Sequence, residues 1–230
     1  MNKKAVLFRA LSVVATLVMV AVLALDTHII LSEMFGQGQS GSTARAELRE
    51  EDGDLKTIYL AGGCFWGVQK FFDQFDGVVS TEVGYANGPD IAPTYRDVCD
   101  GSGHAETVRI AYDEERISLT ELLNDYFMII DPLSVNRQGN DRGVQYRTGI
   151  YYTEDEQRPE IEAVYAAEEE KAGAKLAVEL APIENFFTAE EYHQKYLDKN
   201  PGGYCHIPAS LFSLQAERTE ATRDFGRMKK

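Results

Sequence analysis

Cys64 stands in Ala61-Gly62-Gly63-Cys64-Phe65-Trp66-Gly67, between a pair of glycines and the only tryptophan of the chain. A thiol attacks as its thiolate, and an ordinary pKa of about 8.5 leaves only a few per cent in that form at neutral pH. Thr57-Ile58-Tyr59-Leu60 before it reads as a strand, and Val68, Phe71, Phe72 and Phe75 after it follow the i, i+3, i+4, i+7 spacing of an amphipathic helix. Cys64 is therefore expected at a strand-to-helix turn, where free N–H groups and the positive end of the helix dipole favour the thiolate. The glycines permit a tight turn and close approach by a substrate. Phe65 and Trp66 could wall an apolar pocket beside the sulfur, although aromatic residues more often fill a core.

Other chemistry-bearing residues lie in three further segments. Pro93 to Asp113 carries Tyr95 and a glutamate, Glu106, that opens a strand; Arg137 to Tyr152 carries Asp141 and Tyr146. Both are polar, glycine-bearing loops followed by a strand, the kind of loop that presents functional groups from a rigid scaffold. Asn200-Pro201-Gly202-Gly203-Tyr204-Cys205 ends in a second thiol on a segment able to swing. The third cysteine, Cys99, reads as a small buried hydrophobe. Three cysteines with no C-x-x-C pair build neither a disulfide framework nor a four-cysteine zinc site.

Two rival chemistries use the same residues. His104-Ala105-Glu106 fits the H-x-E half of a zinc deaminase signature, but the P-C-x-x-C half is absent. Cys64 with His104 or His206 would suit a cysteine hydrolase or transferase, a reading that leaves the aromatic pair and Cys205 without roles. A membrane-tethered binding module, whose thiols and aromatics only pack, is the non-enzymatic alternative. His193 reads as a helix-surface residue.

The elements that must position these groups occupy about residues 57–208, where strand and helix patterns alternate without an internal repeat. Strands are expected at Val78 to Val83, Glu106 to Tyr112, Arg147 to Tyr152 and Ala177 to Ile183. Ser118 with Glu121, Thr153 with Glu156, and Thr188 with Glu191 have capping-box spacing and predict three helix starts. Pro159 falls inside the second and predicts a late start or a kink. The fold class expected is α+β, a two-layer ferredoxin-like sandwich with a mixed sheet.

Outside that region, Lys3, Lys4 and Arg9 precede an apolar run from Ala10 to Leu25, which extends through Asp26 and His28 to Leu31. As a helix it would be about 33 Å long, enough to span a hydrocarbon core of about 30 Å. Residues 1–31 thus read as a membrane anchor or signal sequence. An anchor is favoured, because Ala44-Arg45-Ala46 lies too far along for ordinary signal cleavage. The basic flank then stays in the cytoplasm and the rest is extracytoplasmic, periplasmic if the source is bacterial. Residues 32–56 read as a flexible linker and 209–230 as a charged tail. The net charge of −14 opposes binding to nucleic acid or anionic lipid surfaces.

Taken in order, GCFWG, PTYRDVC, GHAE with VRIAYD, RQGND, GVQYR and NPGGYC resemble the A-type peptide methionine sulfoxide reductases. The resemblance implies reduction of the S epimer of methionine sulfoxide, free or in proteins, without metal or organic cofactor. It implies Cys64 as nucleophile on the sulfoxide sulfur, Phe65 and Trp66 as the pocket for the S-methyl group, and Glu106 as the acid. Tyr95 and Tyr146 would donate hydrogen bonds to the sulfoxide oxygen, and Asp141 would help hold substrate and water. Cys205 would resolve the Cys64 sulfenic acid as a disulfide, reduced by an external thiol donor such as a thioredoxin-like protein. A monomer is expected.

Overall fold

The computed structural model describes residues 55–219; the anchor and nearly all of the linker expected from the sequence lie outside them. The strands in chain order are β1 (Leu55–Gly62), β2 (Val78–Ala86), β3 (Ala105–Asp113), a short ribbon of β4 (Arg137–Gln138) and β5 (Asp141–Arg142), then β6 (Thr148–Tyr152), β7 (Glu179–Pro182) and β8 (Phe186–Thr188). The helices are α1 (Phe65–Phe72), α2 (Tyr95–Cys99), α3 (Leu119–Ile129), α4 (Arg158–Ala172) and α5 (Tyr196–Lys199).

One six-stranded sheet has the order β7-β6-β1-β3-β2-β8. It is mixed: β6 and β7 are parallel and every other neighbouring pair is antiparallel. The α+β expectation holds, and β7 and β8 add an edge strand on each side of the four central strands. Alternation along β1 decides what goes where. Ile58 and Leu60 join Val68, Phe71 and Phe72 of α1, Leu122 and Tyr126 of α3, and Ile161 of α4 in the main core. Tyr59 and Ala61 face the other way, into a smaller cluster with Tyr151 and Phe186.

Tyr126 fastens α3 to the sheet just below the Cys64 turn. Its hydroxyl donates to the Ala61 carbonyl at 2.7 Å and accepts from the Gly149 N–H at 3.1 Å, so β1 and β6 are pinned through one buried side chain. The β2–β3 register sets Tyr85 opposite Glu106, which brings the acid to the end of the sheet where α1 begins.

The first capping box forms as expected, Ser118 and Glu121 closing the start of α3 reciprocally. The other two do not. Gln157 takes the N–H groups of Thr153 and Glu154, a short 3-10 turn intervenes, and α4 starts only at Arg158 with Pro159 in its first turn. This is the late start that Pro159 predicts. Thr188 is strand, paired with Gly84, and its hydroxyl bonds Glu82. The helix expected from Thr188 is replaced by a 3-10 turn at Glu191–His193 and the one-turn α5, separated by Lys195 at φ +52°. A box the sequence reading missed, Thr94 with Asp97, starts α2. The first part of the stretch read as a charged tail is packed: Leu211, Phe212 and Leu214 rest on the core and Arg218 pairs with the buried Asp125.

Candidate active site

Cys64 is the N-cap residue of α1, with its side chain only 6% exposed. Two glycines explain how a second segment comes so close. A Cβ on Gly63, whose φ is +81°, would lie 2.5 Å from Gln138 Cβ and 3.2 Å from the His206 ring; one on Gly67 would lie 2.6 Å from Cys205 Sγ. The residues flanking Cys64 thus leave two gaps: Gln138, with the His206 ring beside it, closes the one over Gly63, and Cys205 closes the one over Gly67. Cys205 is half-buried, and its sulfur accepts from the Ile207 N–H at 3.3 Å. Both thiols are free.

The N–H groups at the start of α1 are divided between two acidic partners. Phe65 N–H donates to Glu106 Oε2 at 3.0 Å, whereas the Trp66 N–H favours the Cys64 thiolate. Glu106 is 2% exposed, and burial pushes its carboxyl up to about 8 against the pull of the Phe65 N–H. It is therefore mostly protonated at neutral pH. Burial, then Glu106 once it ionises at higher pH, and Asp141, hold the Cys64 thiol well above its usual range. The helix end is expected from the sequence to raise the thiolate fraction; the Trp66 N–H does favour the anion, but desolvation outweighs it.

Tyr95 opens α2 and Tyr146 ends a 3-10 turn after β5. Both phenols are raised by burial and both lie within electrostatic reach of Glu106 and Cys64, so the loops bring them to one place. Asp141, at the start of β5, is raised mainly by burial, with the Tyr204 hydroxyl and His206 opposing; its Oδ2 is shielded and without a hydrogen-bond partner. Cys99 is exposed, not buried, and lies against the Tyr95 phenol. The five-residue α2 is too short to cover it.

The aromatic pair is held by residues the sequence reading did not find. Phe65 is 1% exposed in the core, whereas Trp66 remains partly open and stacks on Tyr196 with ring centres 3.8 Å apart. Its indole N–H donates to His193 Nδ1 at 3.0 Å. His193 is 1% exposed, so the surface reading of this residue was wrong. Burial lowers its pKa and keeps the imidazole neutral, as an acceptor must be. Glu190 ties the same wall together, accepting from the Tyr85 hydroxyl at 2.7 Å and the Tyr95 N–H at 2.9 Å. Spacing gave one hint, since Tyr192 and Tyr196 are four apart, but a histidine among glutamates and lysines looks solvated.

A protonated carboxylic acid, a shielded thiol, two phenols and an aromatic wall suit removal of an oxygen that needs a proton as it leaves. Residues 56–224 match the family profile for peptide methionine sulfoxide reductase. The chain belongs to this family. It is 53% identical over 158 residues to the peptide methionine sulfoxide reductase MsrA of Clostridium acetobutylicum, covering 68% of this chain and 98% of that one. Among solved structures it resembles reduced Mxr1 of Saccharomyces cerevisiae, with TM-score 0.64 and 40% identity over 67% of this chain and 91% of the other. It also resembles methionine sulfoxide reductase A of Corynebacterium diphtheriae, with TM-score 0.61 and 36% identity over 69% and 85%.

Peptide methionine sulfoxide reductases are oxidoreductases, and the reaction of this chain is thiol-dependent reduction of methionine sulfoxide. The rival readings find no support. His104 is a buried strut between the Pro89 carbonyl and the Ser102 hydroxyl, so it is turned toward a loop rather than toward a nucleophile or metal. Among the described residues no three His, Cys, Asp or Glu side chains are grouped to hold a metal ion.

Proposed function

We propose that Cys64 attacks the sulfur of the S epimer of methionine sulfoxide while Glu106 supplies the proton that its oxygen needs. Phe65 and Trp66 take the S-methyl group, Tyr95 and Tyr146 donate to the oxygen, and Asp141 helps hold substrate and water. The observation that carries this reading is the buried Glu106 carboxyl, held neutral beside the Cys64 turn. A neutral acid can donate where a carboxylate would repel the sulfoxide oxygen.

The thiol gives up its proton only as it attacks. Its sulfur bonds to the sulfoxide sulfur as the sulfoxide oxygen takes the Glu106 proton. That oxygen then passes to the Cys64 sulfur while the sulfur–sulfur bond and the methionine sulfur–oxygen bond break, which leaves methionine and the sulfenic acid; the proton lost by the thiol restores Glu106. Methionine sulfoxide and one thiol thus become methionine and one sulfenic acid, with no other reactant. Cys205, seated on Gly67 one turn away, then condenses with Cys64 to a disulfide and water. A thioredoxin-like protein reduces the disulfide by thiol exchange, and the enzyme works as a monomer.

The basic flank and apolar run before Leu31 support a tether that leaves this chemistry outside the cytoplasm, where the donor must also work. Among the described residues no helix is long and apolar enough to cross a membrane. Steady-state assay of Cys64→Ser with methionine (S)-sulfoxide and dithiothreitol tests the nucleophile. Loss of at least 10³-fold is expected, on the scale of removing an essential nucleophile; activity within threefold of wild type would overturn the mechanism.

A further inference from the structure

His206 belongs to none of the roles above, yet its ring stands beside Gln138 over Gly63, 3.2 Å from where a Cβ would be, while Cys205 occupies the gap over Gly67. Cys64 lies between those glycines. The residue is half-buried, but both ring nitrogens are shielded from solvent and neither makes a hydrogen bond of good geometry. Shielded imidazole nitrogens without a well-placed partner cost stability. Burial lowers the pKa of His206, while Asp141 and the Gly62 carbonyl favour its protonated form. The Asp141 Oδ2 is also shielded and unpartnered.

Condensation of a sulfenic acid with a thiol poses a proton problem that this placement answers. Cys205 must lose a proton as its sulfur attacks, and the oxygen leaving Cys64 must gain one. Burial and the negative charge of Asp141 hold the Cys205 thiol above its usual range, so the proton does not leave by itself. The other histidines among the described residues are held elsewhere: His104 is tied to Pro89 and Ser102, and His193 accepts from Trp66.

We propose that His206 is the proton carrier of the resolving step. Its neutral imidazole accepts the proton of the Cys205 thiol as the Cys205 sulfur bonds to the Cys64 sulfur and the Cys64 sulfur–oxygen bond breaks. The imidazolium then protonates the departing oxygen to water. Cys205 is oxidised, the Cys64 sulfur is reduced by the same amount, and the imidazole ends as it began. Asp141, whose charge favours the protonated ring, stabilises its transient positive charge. This assignment rests on the proposed roles of Cys64 and Cys205.

The test uses the full chain and two rates in a single turnover: methionine release, and disulfide formation followed by quenched peptide mass spectrometry with dimedone as the sulfenic acid trap. Wild type should give one methionine, a transient dimedone adduct on Cys64 and then a Cys64–Cys205 disulfide; failure here would refute the underlying reading, not the His206 assignment. In His206→Asn and His206→Ala, disulfide formation should slow about 10²-fold relative to methionine release, the usual scale of a lost acid–base group. The Cys64 adduct should accumulate, and added imidazole should speed His206→Ala toward wild type. A merely structural histidine would not be rescued by free imidazole. A ratio of the two rates within threefold of wild type in both variants, or a slowed ratio that imidazole leaves unmoved in His206→Ala, overturns the assignment.

Discussion

Folding and the proposed chemistry both favour the protonated form of Glu106. Its raised pKa means that the folded protein binds a proton there that the unfolded chain has released between about pH 4.5 and 8. Stability from this residue is therefore full below the unfolded value and falls as pH rises toward 8. Activity should follow the same limb, because the donor form is lost as pH passes about 8. Glu106→Gln is expected to lower single-turnover methionine release by about 10²-fold or more, and to flatten the dependence of Tm on pH between 5 and 8. An unchanged release rate would move the acid role elsewhere. A similar argument applies to Trp66, whose indole is fixed by His193. His193→Ala should raise KM for methionine sulfoxide about tenfold, equivalent to about 1.4 kcal/mol, as one buried hydrogen bond is lost. Equilibrium dialysis with the sulfoxide separates that effect from a change in rate.

In the proposed mechanism both halves of the reaction depend on the start of α1, and Gly67 is its clearest test. A Cβ there would meet the Cys205 sulfur at 2.6 Å, so Gly67→Ala must push the Cys205 segment outward. Methionine release should survive while disulfide formation slows severely, read by the same quenched mass measurement. This element was legible in the sequence because its signals are local: a strand, two glycines and four apolar residues at helical spacing. The region after Thr188 was not. Thr188 and Glu191 have the spacing of a helix start, but Thr188 pairs with Gly84, and Glu190 turns to Tyr85 and Tyr95, residues about a hundred positions earlier. Tertiary partners override a local box that competes with them. The burial of His193 and the packing of Leu211 and Phe212 escaped notice for the same reason, since each depends on distant chain. Cys99 failed in the other direction, an apolar residue type left exposed on a one-turn helix.

At the scale of the molecule, residues 55–219 contain every group assigned a role. A chain starting at residue 55 should therefore keep kcat/KM within about twofold of the full protein, a difference of about 0.4 kcal/mol in ΔG‡. It should also lose any partition into the membrane fraction, which sedimentation with and without residues 1–54 would read. The packed C-terminal stretch is different, because Arg218 reaches the buried Asp125 on α3. Ending the chain before it would leave that carboxylate short of its partner.

The central claim is that one buried thiol does the chemistry and a second, held one helical turn away, resets it. Its most direct test is a single turnover of Cys205→Ser with methionine (S)-sulfoxide in the presence of dimedone, followed by methionine quantification and peptide mass mapping. The account predicts one methionine per chain and a dimedone adduct on Cys64 alone, with no disulfide. Absence of methionine, or an adduct on the exposed Cys99 in place of Cys64, would contradict it.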